Sequence, residues 1–138
     1  LDRPLGEKRG GMAQAVILVV DDEERVLFVL QNALMRGGDG FEVMAASTAE
    51  DGLRKLGDRR YDLVFTDLVM PGTDGIEFTE KLRESDQDVT VVWMTAHGCH
   101  SFRTVMERLK VYRCVEKPLE ISEVREVARD ALTAGEHA

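Results

Sequence analysis

Three carboxylates, a hydroxyl and an ammonium stand at the ends of apolar runs in this chain. Asp21 and Asp22 follow VILVV, Asp67 follows DLVFT, Thr95 follows VVWM, and Lys117 follows YRCVE and precedes Pro118. Carboxylates held close repel one another, and a hard divalent cation relieves the repulsion. All-oxygen ligation suits Mg2+, which retains several waters and favours phosphoryl sites. A carboxylate beside such an ion can attack phosphorus and form an acyl phosphate. The transferring group spreads charge over its equatorial oxygens, so it needs a metal, a cation such as Lys117 and donors such as Thr95. Each residue alone has a plainer reading. Asp21 and Asp22 suit a helix cap or its dipole, and Asp67 suits a turn before Pro71 and Gly72. Thr95 suits a strand end, and Lys117 a solvated surface. Only their gathering at one place favours chemistry.

That gathering depends on the elements that carry the residues. Apolar runs occur at Ala15–Val20, Phe41–Ala46, Tyr61–Thr66, Val89–Thr95 and Val111–Val115. Amphipathic stretches of helical spacing lie between and after them. The first carries Val26, Leu27, Leu30, Ala33 and Leu34 and stops at Gly37-Gly38. The second opens with Ser47 and Thr48, with Glu50 at capping-box spacing from Ser47, and continues through Leu53 and Leu56. The third runs from Gly75 through Ile76, Phe78, Thr79 and Leu82. The fourth has Phe102, Val105, Met106 and Leu109 as core positions. The last has Ile121, Val124, Val127, Ala128, Ala131 and Leu132. Strand–helix alternation repeated five times predicts an α/β fold, a doubly wound five-stranded parallel sheet with five helices. The flavodoxin-like order 2-1-3-4-5 fits, and such sheets bind ligands outside the carboxyl ends of their strands. The four chemical features fall at that end.

Composition bounds the setting. The 138 residues fit one domain, with 43% hydrophobic residues and a net charge of −8 from 18 basic and 26 acidic side chains. The acid excess disfavours nucleic-acid binding by this domain. No apolar run reaches the roughly 20 residues of a membrane helix. Two cysteines, Cys99 and Cys114, are too few for a disulfide framework, and reduced thiols in a cytoplasmic protein are the expectation. Without a Cys-x-x-Cys or His-x-x-x-His pattern, zinc is not expected. Residues 1–14 read as a flexible leader, with Met12 a candidate natural start and the stretch before it an upstream extension or a cloning remnant. The domain itself is expected over 15–135, with 136–138 as a tail.

The runs VILVVDDEE, DLVFTDLVMPGTDG, VVWMTA and VEKP resemble those of response-regulator receiver domains of two-component signalling, over roughly Ala15 to Leu132. The resemblance implies that Asp67 accepts a phosphoryl group from a sensor histidine kinase or a histidine phosphotransfer protein. It implies Mg2+ held by Asp22, Asp67 and the Val69 backbone carbonyl, with Asp21 acting more indirectly, through water. Lys117 would pair with phosphoryl oxygens, Thr95 would bond one of them, and small Ala96 would leave room for the group to enter. A cis Lys117–Pro118 bond is implied as well. The downstream effector would be met by the face of helix four, strand five and helix five, with dimerisation on phosphorylation one expected outcome. The domain would be no enzyme toward other substrates, catalysing only its own phosphorylation and dephosphorylation.

Some positions depart from the family pattern. Cys114 stands where an aromatic residue is usual, three before Lys117; Tyr112, two residues earlier, would share its face on a strand. Lys110-Val111 replaces the usual Gly-Ala before strand five. Val69 cannot hydrogen-bond a water and is expected to slow loss of the phosphoryl group; His97, two after Thr95, reads as an exposed loop residue or a partial offset. His100 and His137 read as surface residues. Other classes remain beside the switch: an Mg2+-dependent aspartyl-phosphate phosphatase, a flavin carrier and a non-phosphorylated pseudo-receiver used only for binding. The first lacks a second Asp two residues after Asp67. The second would meet repulsion from Asp21-Asp22-Glu23-Glu24, and the third does not explain an intact acidic set.

Overall fold

Near-continuous apolar runs can be buried on both faces only inside a sheet covered by helices. A computed structural model of the chain describes residues 14–96 and 98–137. Residues 1–13 of the expected leader, together with His97 and Ala138, lie outside the described residues. The elements are β1 (Val16–Val20), α1 (Glu24–Met35), β2 (Glu42–Ala46), α2 (Ala49–Asp58), β3 (Leu63–Asp67), α3 (Gly75–Ser85) and β4 (Thr90–Thr95). A 3-10 turn at Cys99–Phe102 leads into α4 (Arg103–Leu109), followed by β5 (Arg113–Glu116) and α5 (Ile121–His137). The strands are parallel, in the order β2-β1-β3-β4-β5. This is the expected architecture, with the last helix running through most of the expected tail.

Alternation along the strands divides the core. Ile17, Val19, Phe65, Met94 and Val115 pack with residues of α1 and α5. Leu18, Val20, Val64 and Trp93 pack on the other face with Phe78 and Leu82 of α3 and Leu109 of α4. The Trp93 indole N–H donates to Thr79 Oγ1 at 2.9 Å, so the one polar atom of this buried ring has a partner.

Several local expectations change. The cap of α2 is Thr48, not Ser47; its Oγ1 accepts from Asp51 N at 3.0 Å. Phe102, Val105 and Met106 are only half-buried, and Leu109 is the one fully buried residue of α4. Tyr112 precedes β5, so period-two alternation does not reach it. It packs on the α1/α5 side while Cys114 packs on the other, so the two do not share a face. Lys110 takes the left-handed conformation (φ 60°) in which Gly is favoured. Its carbonyl accepts from Arg83 Nη2 at 3.2 Å. Arg83 is buried and also donates to the carbonyls of Leu109 and Val89, both at 2.8 Å. Burial pushes its pKa below the ordinary arginine value, against the pull of Asp86 and Asp88. The expectation of two reduced thiols fails too: Cys99 and Cys114 are bonded to each other. The fold brings the turn after β4 against β5, a proximity that sequence spacing does not reveal.

One contact fixes the loop after β3. Gly75 N donates to Leu68 O at 2.9 Å, and a Cβ at Gly75 would lie 2.2 Å from the Asp67 carbonyl oxygen. Backbone, not a yielding side chain, occupies that space. Gly75→Ala is therefore expected to destabilise the domain by about 2 kcal/mol in urea titration; a change within about 0.5 kcal/mol would contradict the close approach.

Candidate functional site

The parallel order brings the ends of β1, β3, β4 and β5 to one edge of the sheet. Asp21 leaves β1 with its N–H donating to Ala46 O at 3.1 Å, and its Oδ1 accepts from Glu23 N at 2.9 Å. Asp67 is the last residue of β3, and its Oδ1 accepts from Val69 N at 3.4 Å. Asp21 is fully buried and Asp67 is 6% exposed, whereas Asp22 is exposed. Carboxylate oxygens of Asp21, Asp22 and Asp67 lie within 4.8 Å of one another.

Lys117 reaches into this cluster from the end of β5. Its Nζ donates to Asp21 Oδ2 at 2.8 Å and to Asp67 Oδ2 at 3.2 Å, and lies 3.5 Å from Glu23 Oε1. Its backbone N–H donates to Thr95 O at 2.8 Å, and the bond to Pro118 is cis, as expected. Thr95 is buried at the end of β4. Asp22, Glu23, Asp67, Val69, Ala96 and Lys117 line a hollow of about 320 Å3. Val69 itself is 75% exposed. The expected residues thus come together, with His97 outside the described set. Glu23 belongs to the site and was missed; its place in the Asp21–Glu24 acidic run was the available signal.

Charge is unbalanced here: with Glu23, four carboxylates share one ammonium. Each like-charge pair at this spacing repels by roughly 3 kcal/mol at an effective dielectric of 20. Burial raises the Asp21 pKa above its ordinary 3.8, and neighbouring Asp67 adds to this, while Lys117 and the Glu23 N–H oppose it. For Lys117, burial works to lower the pKa, but Asp21 and Asp67 outweigh it and hold the ammonium above its ordinary 10.5. Folded Asp21 binds its proton more tightly than the unfolded chain does, so its ionisation lowers stability as pH rises from 3.8 through the raised value. Lys117 contributes stability below 10.5 that is lost as pH rises through its own raised value. A hard, all-oxygen donor set with surplus negative charge fits a divalent cation of the Mg2+ type, with Asp21, Asp22 and Asp67 as the side chains to hold it.

In metal-free buffer at pH 7, Asp67→Asn is expected to raise the unfolding free energy by about 1 kcal/mol, because it removes repulsion while Lys117 keeps Asp21. Lys117→Met is expected to lower it by about 3 kcal/mol. Denaturant titrations check both, and the reverse order would contradict the charge balance described.

Comparisons with known proteins agree with this geometry. Residues 17–129 match the response regulator receiver domain family. Sporulation initiation phosphotransferase F of Bacillus subtilis is 28% identical over 121 residues, covering 88% of this chain and 96% of that protein. The uncharacterized transcriptional regulatory protein YkoG of the same organism is 31% identical over 121 residues, with 88% of this chain but 52% of that protein covered. The chain thus spans nearly all of the first relative and about half of the second. A CheY-like receiver domain protein from Methanospirillum hungatei shares the fold, with a TM-score of 0.83 at 23% identity over 91% of this chain and 98% of that one. NtrX from Brucella abortus aligns with a TM-score of 0.82 at 28% identity, over 90% of this chain and 28% of that one. The chain belongs to the response regulator receiver domain family.

Proposed function

We propose that this domain is a phosphoacceptor switch of a two-component or phosphorelay system, with Asp67 as the acceptor. The observation that carries this reading is the bridging of Asp21 and Asp67 by Lys117 beside the exposed Asp22 carboxylate. An Asp67 carboxylate oxygen attacks the phosphorus of a phosphohistidine on a kinase or phosphotransfer protein. The P–N bond breaks as the P–O bond forms, and the imidazole leaves. Asp22, Asp67 and the Val69 carbonyl, with Asp21 behind them, would hold Mg2+, which would supply charge neutralisation at the transferring group. Lys117 releases part of its hold on Asp67 and turns to a phosphoryl oxygen. Thr95, at the end of the neighbouring strand, donates to another, and Ala96 leaves the hollow open.

New hydrogen bonds to Thr95 and Lys117 bias a pre-existing equilibrium. The outcome is read on the α4–β5–α5 face by an effector domain or a second copy. On α1, Phe28 and Val29 are exposed, and Val29 lines a second hollow with Lys117, Pro118 and Leu119. That apolar surface beside the site suits docking of the donor protein. The name of the Bacillus subtilis phosphotransferase relative supports phosphoryl transfer. The domain acts on no substrate but itself: a phosphatase of the aspartyl class would need an acid where Val69 stands. No helix among the described residues is long and apolar enough to cross a membrane.

Incubation with acetyl phosphate is expected to add the mass of one phosphoryl group with Mg2+ present and none with the ion chelated. Asp67→Asn should abolish the addition, and Val69→Asn should shorten the lifetime of the adduct. Uptake without Mg2+, or undiminished uptake in Asp67→Asn, would overturn the reading.

A further inference from the structure

The Cys99–Cys114 bridge joins the two segments that carry Thr95 and Lys117. Cys99 opens the 3-10 turn four residues after Thr95, and Cys114 lies on β5 three residues before Lys117, in register with Trp93. The ring it closes contains all of α4. That helix has seven residues and buries only Leu109 fully. Its end is clamped by Arg83, which donates to the Leu109 and Lys110 carbonyls. Its beginning is held by the bridge, together with Phe102 edge-on to Trp93 at 6.3 Å. With the bridge in place α4 is therefore pinned at both ends; without it, the beginning keeps the Phe102–Trp93 contact but loses its covalent tie.

The bridge is also within reach of a reagent. Both cysteines are half-buried, and they line a surface hollow of about 420 Å3 with His100, Arg103, Met106, Glu107 and Lys110. Arg103 and Lys110 outnumber Glu107 in that hollow, which favours the approach of an anionic thiol. Disulfides in reducing compartments are usually transient, catalytic or sensing.

We propose that Cys99–Cys114 is a thiol–disulfide exchange site that gates the phosphoryl switch, with a small thiol and its disulfide as reactants. This rests on Asp67 being the phosphoacceptor. A thiolate of the small thiol attacks one Sγ, forming a mixed disulfide and expelling the other cysteine as thiolate. A second thiolate attacks the sulfur of the small thiol, expels the first cysteine and leaves as the symmetric disulfide. Two small thiols are oxidised, two electrons reduce the bridge, and the two protons end on Cys99 and Cys114. The bridged form holds the start of α4 in its unphosphorylated place, so it opposes switching. By linkage, a phosphoryl group on Asp67 favours opening of the bridge by the same factor.

The test uses beryllofluoride with Mg2+ as a stand-in for the phosphoryl group. Reduced protein is expected to bind it about fivefold more tightly than bridged protein, at the low end of ordinary coupling. The double variant Cys99→Ser/Cys114→Ser should match the reduced form in either redox buffer. In wild-type protein, saturating beryllofluoride should shift the glutathione equilibrium of the bridge about fivefold toward thiols, or about 20 mV, read by mass after alkylation. That second readout decides the matter if the double variant does not fold. Equal affinity in both redox forms with an unmoved glutathione midpoint would overturn the gate and leave the phosphoacceptor reading standing. Two free thiols that persist in excess oxidised glutathione would overturn it as well. Failure of every form to bind beryllofluoride would overturn the phosphoacceptor reading, and the gate with it.

Discussion

A single ammonium, Lys117 Nζ, holds together carboxylates that would otherwise push the ends of two strands apart. It lies 2.8 Å from Asp21 and 3.2 Å from Asp67, and so ties β5 to β1 and β3 across the top of the sheet. The attraction is strong because Asp21 is fully buried, and it is incomplete because four carboxylates face one cation. Structures near a stability threshold tolerate such local imbalance where function uses it. Here the imbalance leaves a site that gains from added positive charge. It also leaves a lysine that can move between partners without losing ionic contact.

The fold serves that arrangement in specific ways. Parallel pairing in the order β2-β1-β3-β4-β5 points the carboxyl ends of all five strands the same way, so residues far apart in the chain meet. Gly75 lets α3 start against the Asp67 carbonyl, which fixes the loop carrying Val69. The Lys117 N–H to Thr95 carbonyl bond couples the cation to the hydroxyl-bearing strand end through backbone. A change at Asp67 therefore reaches Thr95 and β5 by short, stiff connections, and α4 lies directly beyond them. Of the five helices, α4 buries fewest residues, Leu109 alone among those described, so it has least of them to lose by moving.

Much of this was legible in the chain, for physical reasons. Strands buried on both faces leave near-continuous apolar runs, so VILVV and DLVFT announced themselves, as did the acids placed after them. Helix faces such as Leu27, Leu30 and Leu34 repeat at helical spacing and are buried as expected. What escaped depended on geometry that spacing does not carry. Thr48 rather than Ser47 caps α2 because the turn, not the motif, decides which hydroxyl faces the Asp51 N–H. Tyr112 falls outside β5, so strand alternation does not extend to it and it packs on the face opposite Cys114. Arg83 finds the carbonyls of a distant turn, and Cys99 finds Cys114, only after the chain has folded.

The claim at the centre is that surplus carboxylate charge at the end of the sheet makes a divalent-cation site. Calorimetric titration of Mg2+ at pH 7 into the wild-type protein and into Asp22→Asn tests it most directly. Asp22 is exposed, so the variant leaves the buried Asp21–Lys117–Asp67 contact intact. One saturable site is expected in the wild-type protein, weakened at least about tenfold in the variant. Absence of saturable binding, or equal affinity in the two proteins, would contradict it.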